Sequence, residues 1–315
     1  MDYSLKKKLD FKRFFCPYLV KFDESGDGVY ASKKAMPISM TLTTNPYGSS
    51  PTIETEPADK NISSYPFEQT KKLQKKIAEK LCGAAISYVS MENEIYLNLK
   101  QFKHVIRANT KIVYLCNPNN PTGEYLSPES IINNLYSDDY ILIVDEANIE
   151  FGGESCAKYV SDFPNLIVLR TFSKAYGIAN LRVGYAIASP EMLRLIDRSR
   201  PPFPVSGTAC DAAIKAIDDS DFLVNSVAKI HAEKIRLSSY LEALNFTVIK
   251  GSANTLLCNN ENVKELSEEF SNIGISVASG SAFGLKNHWC RIAPQQIHIN
   301  NAFIEKIKEM ECGSA

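Results

Sequence analysis

Three polar groups stand where apolar runs end. Residues 117–123 follow KIVYLC, Asp145 and Glu146 follow YILIV, and Ser173 and Lys174 follow LIVLRTF. Together they offer an amide, a carboxylate and an amine. A lysine amine forms a Schiff base with an aldehyde. A carboxylate that faces an aromatic ring nitrogen keeps it protonated and makes the ring an electron sink. Arg182, eight residues beyond the lysine, is of the type that grips a phosphate with two parallel hydrogen bonds. One such group is ordinary, and CNPNNPTG alone reads equally well as a turn. Three in succession at strand ends predict a shared pocket, because open α/β sheets form their ligand crevice at the carboxyl ends of the strands.

The elements that must carry these groups follow from apolar periodicity. KIVYLC, YILIVDEA, LIVLRTF and RVGYAIA read as strands, and AISYVSM at 85–91 as a further one. SPESIINNLY between them reads as a helix with a serine cap and an early acid. PEMLRLID starts a helix at its proline. Nearly uniform apolar strands alternating with helices predict an α/β fold with a mostly parallel sheet covered by helices. Upstream, EQTKKLQKKIAEKL places Leu73, Ile77 and Leu81 on one helical face. Residues 208–244 are helix formers throughout. Beyond them FTVI, NTLLC, a helix at 261–272, GISVAS, WCRIA and a helix at 301–310 predict a smaller C-terminal α+β domain. The expected division is an N-terminal arm and loops at 1–64, a large domain at 65–234 and a small one at 235–315.

Composition narrows the function classes. The chain has 315 residues, 35 basic and 36 acidic, and a net charge of -1. That balance argues against a nucleic-acid surface or an anionic membrane. The eight cysteines form no CxxC pair and the four histidines no metal-ligand spacing, so no metal is expected and the cysteines read as buried thiols of a reducing compartment. No apolar run is long enough to span a bilayer, and the charged start lacks a signal peptide's apolar core. A cytoplasmic protein is the expectation.

NPNNPTG, DEA and TFSKAYGIANLRVGY, in that order, resemble the signature of the class I/II aminotransferases, pyridoxal-phosphate enzymes of fold type I. Within them the chain is most similar to histidinol-phosphate aminotransferases and the related threonine-phosphate decarboxylases. TTNPYGSSP, GSANTLLC and WCRIA extend the resemblance over most of the chain. It implies pyridoxal 5′-phosphate as cofactor, with Lys174 carrying it and moving the proton. Asp145 would pair with the ring nitrogen and Asn120 with the phenolic oxygen. Thr171, Ser173 and Arg182 would hold the phosphate. Arg291 would grip the substrate carboxylate, with Asn254 bounding the substrate. The resemblance further implies a homodimer, in which Tyr47 and Tyr65 reach the neighbouring subunit's site, Tyr65 at its cofactor phosphate. A small-molecule amino donor and a 2-oxo acid acceptor would be the partners. The implied reaction is amino-group transfer. Decarboxylation by the same electron sink is the enzymatic alternative, and a non-catalytic binding protein the other.

The chain departs from that pattern at three places. The family's helix leads to a phosphate-clasping loop and a ring-stacking aromatic, whereas here KKLQKKIAEKL passes directly into LCGAAISYVSM. An internal deletion near residues 81–85 and a truncated large domain are the expectation. DEAN puts Asn148 where the family has tyrosine, and GISVAS puts Ala278 where it has an arginine that helps bind a substrate phosphate. The last of these weighs against phosphorylated substrates.

Overall fold

The computed structural model describes residues 85–91, 95–201 and 203–312. Those from Ser90 onward belong to one unit and residues 85–89 to another. The segment 85–91 forms no strand, which corrects the expectation from AISYVSM. Its alternation is right for a strand, but among the described residues it has no ladder partner, and most of its side chains are exposed. The arm at 1–64, the helix expected at 68–81 and most of the junction at 81–85 lie outside the described residues.

The first sheet contains β1 (Ile112–Cys116), β2 (Ile141–Asp145), β3 (Leu166–Thr171) and β4 (Gly184–Ala188), in that order. The first three are parallel, and β4 runs antiparallel to β3. A mostly parallel sheet was expected, but an apolar run carries no mark of its direction. A short helix α1 (Leu99–Val105), capped by Asn98, precedes β1. Helix α2 (Pro128–Leu135) joins β1 to β2, with Ser127 accepting from the Ser130 amide and Pro128 in the first turn. Ser189 caps α3 (Pro190–Asp197) in the same way.

The two faces of this sheet differ. Val113, Leu115, Leu142, Val144, Leu166 and Val168 are all buried, and register puts them on one face. On the other face α3 covers one side, packing Met192 and Leu195 on Ile141, Ile167 and Ala188. The β1 side of that face is open: Ile112 is 54% exposed and Tyr114 52%.

Helix α4 (Gly207–Asp218) and the long helix α5 (Ser220–Ala243) follow. Asp219 separates them and caps the second by accepting from the Phe222 amide. A second sheet has the order β5-β6-β8-β7 and is antiparallel throughout, from β5 (Thr247–Ile249), β6 (Leu256–Asn259), β7 (Ala278–Ser279) and β8 (Trp289–Ile292). Its core joins Leu237 and Leu241 of α5 to Leu256, Phe270, Ile292 and Ile307. Helix α6 (Leu266–Asn272) begins later than the expected 261, because an Asn260 turn bonded to the Asn262 and Val263 amides fills the gap. Helix α7 (Ile297–Cys312) overruns the expected 301–310 at both ends. No helix of the described residues is long and apolar enough to cross a membrane.

Candidate active site

The CNPNNPTG loop assigns its three asparagines different work. Asn117 is buried, and its side chain both donates to the Leu126 carbonyl (2.9 Å) and accepts from the Leu126 amide (2.7 Å). It closes the loop. Asn119 spends its backbone on Gly123 and Glu124 and its side-chain oxygen on the Thr122 hydroxyl. Asn120 is exposed, and its Oδ1 accepts from Arg291 Nη1 at 2.9 Å, 171 residues away in the chain. The turn is therefore a mount for one outward amide.

Gly123 explains the close of the motif. It has a φ of 72°, in the left-handed region that favours glycine. Its backbone also lies against Gly251, where an added Cβ would fall 2.2 Å from the Gly123 carbonyl carbon and oxygen. The Ser252 amide donates to the Gly123 carbonyl at 2.5 Å. The segment GSAN thus rests directly on NPTG. Lys234 of α5 secures the far side: its amine donates to the Gly251 carbonyl and, at 2.6 Å, to the Ala253 carbonyl. Lys234 is only 4% exposed, and burial pulls its amine down to about 8. Sequence reading missed it, because a lysine in AKIHAEKIRL looks like a solvated helix face. Asn254 is half-buried in the turn that Lys234 holds.

At the end of β3 the side chains of 171–182 fold back on each other. Thr171 Oγ1 accepts from the Ser173 amide (3.0 Å), and Arg182 Nη1 donates to Ser173 Oγ (3.4 Å) and to the Ala179 carbonyl (3.0 Å). Two hydroxyls and a guanidinium so converge at one strand end, a donor set suited to a phosphate-sized anion. Phe172 anchors the loop by packing with Val183, Ala209 and Ala213. Lys174, two residues on, is exposed.

Asp145 ends β2, one strand from this set, and pairs in register with Leu169 of β3 and Cys116 of β1. Its Oδ1 accepts from the Ala147 amide at 3.0 Å and its Oδ2 from the Tyr114 hydroxyl. Cys116, on the same face, is pushed up to about 11, first by burial and then by the Asp145 charge. The neighbouring Glu146 points the other way. It is fully buried and accepts from Ser155 Oγ and the Cys156 amide at 2.6 Å and from Arg170 Nε at 2.9 Å. Arg170 also donates to Glu150 at 2.8 Å. Asn148, where the family pattern has tyrosine, is buried at the start of a short turn of helix, Ile149–Phe151.

Arg291 lies mid-strand in β8, opposite Leu257 and Ala278. Its guanidinium stacks 4.7 Å from the Phe283 ring centre. Its Nε is buried without a hydrogen-bond partner, and burial lowers its pKa. A half-buried guanidinium that already meets one polar side chain, Asn120, is of the type that pairs with a carboxylate. Ala278 adds no second cation beside it. Tyr47 and Tyr65 lie outside the described residues.

Residues 76–302 match the family aminotransferase class I and II. The chain belongs to that family. Among curated members it is 34% identical to the histidinol-phosphate aminotransferase of Caldanaerobacter subterraneus subsp. tengcongensis over 236 residues, 74% of this chain and 67% of that one. Similar solved structures include the histidinol-phosphate aminotransferase of Clostridium acetobutylicum (TM-score 0.68, 25% identity, 76% of this chain and 75% of that one). The Sinorhizobium meliloti enzyme, solved in complex with pyridoxal-5′-phosphate, is another (TM-score 0.65, 25% identity, 72% and 66%). This class I/II aminotransferase chain spans 58% to 67% of the length of curated relatives it matches.

Proposed function

We propose that the chain binds pyridoxal 5′-phosphate and transfers an amino group between a small amino acid or amino-phosphate and a 2-oxo acid. The observation that carries the reading is the bond from Arg291 to Asn120. It brings a half-buried guanidinium of the second sheet to the loop that follows β1, the strand whose last residue pairs with Asp145. The side chains fit the cofactor's functional groups. Thr171, Ser173 and Arg182 suit its phosphate. Asp145 accepts one donor at each oxygen and keeps further lone pairs for a ring N–H. The Lys174 amine has no partner among the described residues.

When bound, the cofactor supplies the carbonyl that captures an amine and the ring that accepts electrons. Lys174 would hold it through its amine and, once the donor's amine has displaced it, would take the proton from the substrate Cα. Asp145 keeps a proton on the ring nitrogen. Asn120 donates to or accepts from the phenolic oxygen, and Arg291 turns between that amide and the substrate carboxylate. Asn254 bounds the substrate on the side of the GSAN turn. Ala278, which stands where the family pattern has an arginine and pairs with Arg291, supplies no cation of its own, and this favours a donor with one carboxylate over one with an added phosphate. Tyr47 and Tyr65 would complete the site across a homodimer. Residues 65–234 and 235–315 would act as the large and small domains around it, in the cytoplasm.

An absorbance titration with pyridoxal 5′-phosphate tests the reading. Binding should give a visible band that Lys174→Ala abolishes, and a purified donor should then pass its amine to 2-oxoglutarate. Carbon dioxide release without amine transfer would support a decarboxylase instead. No band at saturating cofactor would support a binding protein without turnover, a reading that the apparent deletion near residues 81–85 favours.

A further inference from the structure

We infer that Tyr114 is a positioning residue for Asp145: its phenol holds one carboxylate oxygen so that the carboxylate meets a ring nitrogen in one preset orientation. The inference rests on the Asp145 role proposed above.

The geometry carries it. Tyr114 sits opposite Ile143, and Cys116 opposite Asp145. Tyr114 and Asp145 are therefore diagonal neighbours on the same face, within reach of a long side chain. The Tyr114 hydroxyl donates to Asp145 Oδ2 while the Ala147 amide donates to Oδ1. A carboxylate held at one oxygen can still turn about its last bond. One held at both cannot, and its unused lone pairs point in fixed directions. A group arriving at a preset acceptor loses less freedom on binding.

Packing does not account for this tyrosine. Half of it is exposed, as is Ile112 on the same face, so the ring is not a core residue that happens to end in a hydroxyl. Within the described structure the hydroxyl has one use, which is Asp145. Burial, then the bond to Asp145 and its charge, raise the phenol well above its ordinary value. The phenol consequently remains a donor across neutral and mildly alkaline pH.

The test uses the full chain, pyridoxal 5′-phosphate and its 1-deaza analogue, in which carbon replaces the ring nitrogen. Wild type should prefer the nitrogen-bearing cofactor, and Asp145→Ala should lose that preference. Tyr114→Phe should cut it about tenfold while binding the deaza analogue as wild type does. An unchanged preference in Tyr114→Phe, with the preference lost in Asp145→Ala, overturns the Tyr114 role alone. A wild type without preference, or an Asp145→Ala variant that keeps it, overturns the Asp145 reading and this inference with it. A second readout needs no cofactor. In the free protein the phenolate absorbance missing from Tyr114→Phe should develop at lower pH in Asp145→Asn, and an unmoved titration would refute the bond.

Discussion

The acid pair at the end of β2 divides the molecule into two kinds of region. Asp145 and Glu146 are adjacent, yet strand alternation sends them to opposite faces. Glu146 enters a buried network with Arg170, Ser155 and the Cys156 amide. Asp145 stays half-open, held among the described residues by Tyr114 and a backbone amide. Chemically similar residues one position apart thus become, on the function proposed, scaffold and site. Satisfied burial fixes the one, and spare lone pairs equip the other.

Substitutions at the two should separate stability from ligand chemistry. Glu146→Ala leaves Arg170 with one carboxylate in a largely buried place. It should cost about 3–5 kcal/mol in chemical denaturation. A loss under 1 kcal/mol would break the comparison, because Glu146 would then be no more structural than Asp145. Asp145→Ala should leave the denaturation midpoint near wild type and cut amine transfer at least about 100-fold, near 3 kcal/mol of barrier. Near-normal turnover would place Asp145 with the scaffold.

The joint between the two loops sharpens the same contrast. Gly251→Ala drives a methyl into the Gly123 backbone. A destabilisation of about 2 kcal/mol is expected, together with weaker capture of the substrate carboxylate, since the GSAN turn bears on the loop that carries Asn120. A stable variant of unchanged KM would show the joint to be loose. The smallest effect concerns Lys234. Its amine is lowered from 10.5 to about 8 by burial, so between those values the unfolded chain binds more protons than the folded one. Stability should therefore rise with pH through that window, on the order of 1–2 kcal/mol relative to Lys234→Met, and be independent of this group below it. A flat difference between the two proteins across pH 8–10.5 would mean that the amine titrates normally.

Much of the frame was legible in the sequence because it follows from short-range pattern. The runs KIVYLC, YILIVDEA and LIVLRTF became β1, β2 and β3, and serine–proline pairs marked the starts of α2 and α3. The strand-end groups could be picked out for the same reason: each follows an apolar run directly. What stayed hidden depends on partners far along the chain. The direction of β4 is set by its ladder with β3, and AISYVSM lacked any ladder among the described residues. Lys234 and Tyr114 each look unremarkable in their own segments. Only the tertiary fold puts one under the GSAN turn and the other against Asp145. Gly251 stood inside a motif, but its reason is the Gly123 backbone, 128 positions earlier in the numbering.

The meeting of Gly123 and Gly251 also constrains descent. Neither position has room for a side chain while the other keeps its path, so a change at one is tolerated only after the opposite loop has shifted. Two stretches that are remote in the gene are then inherited as a single trait, and lengthening either loop alone would pull Asn120 away from Arg291.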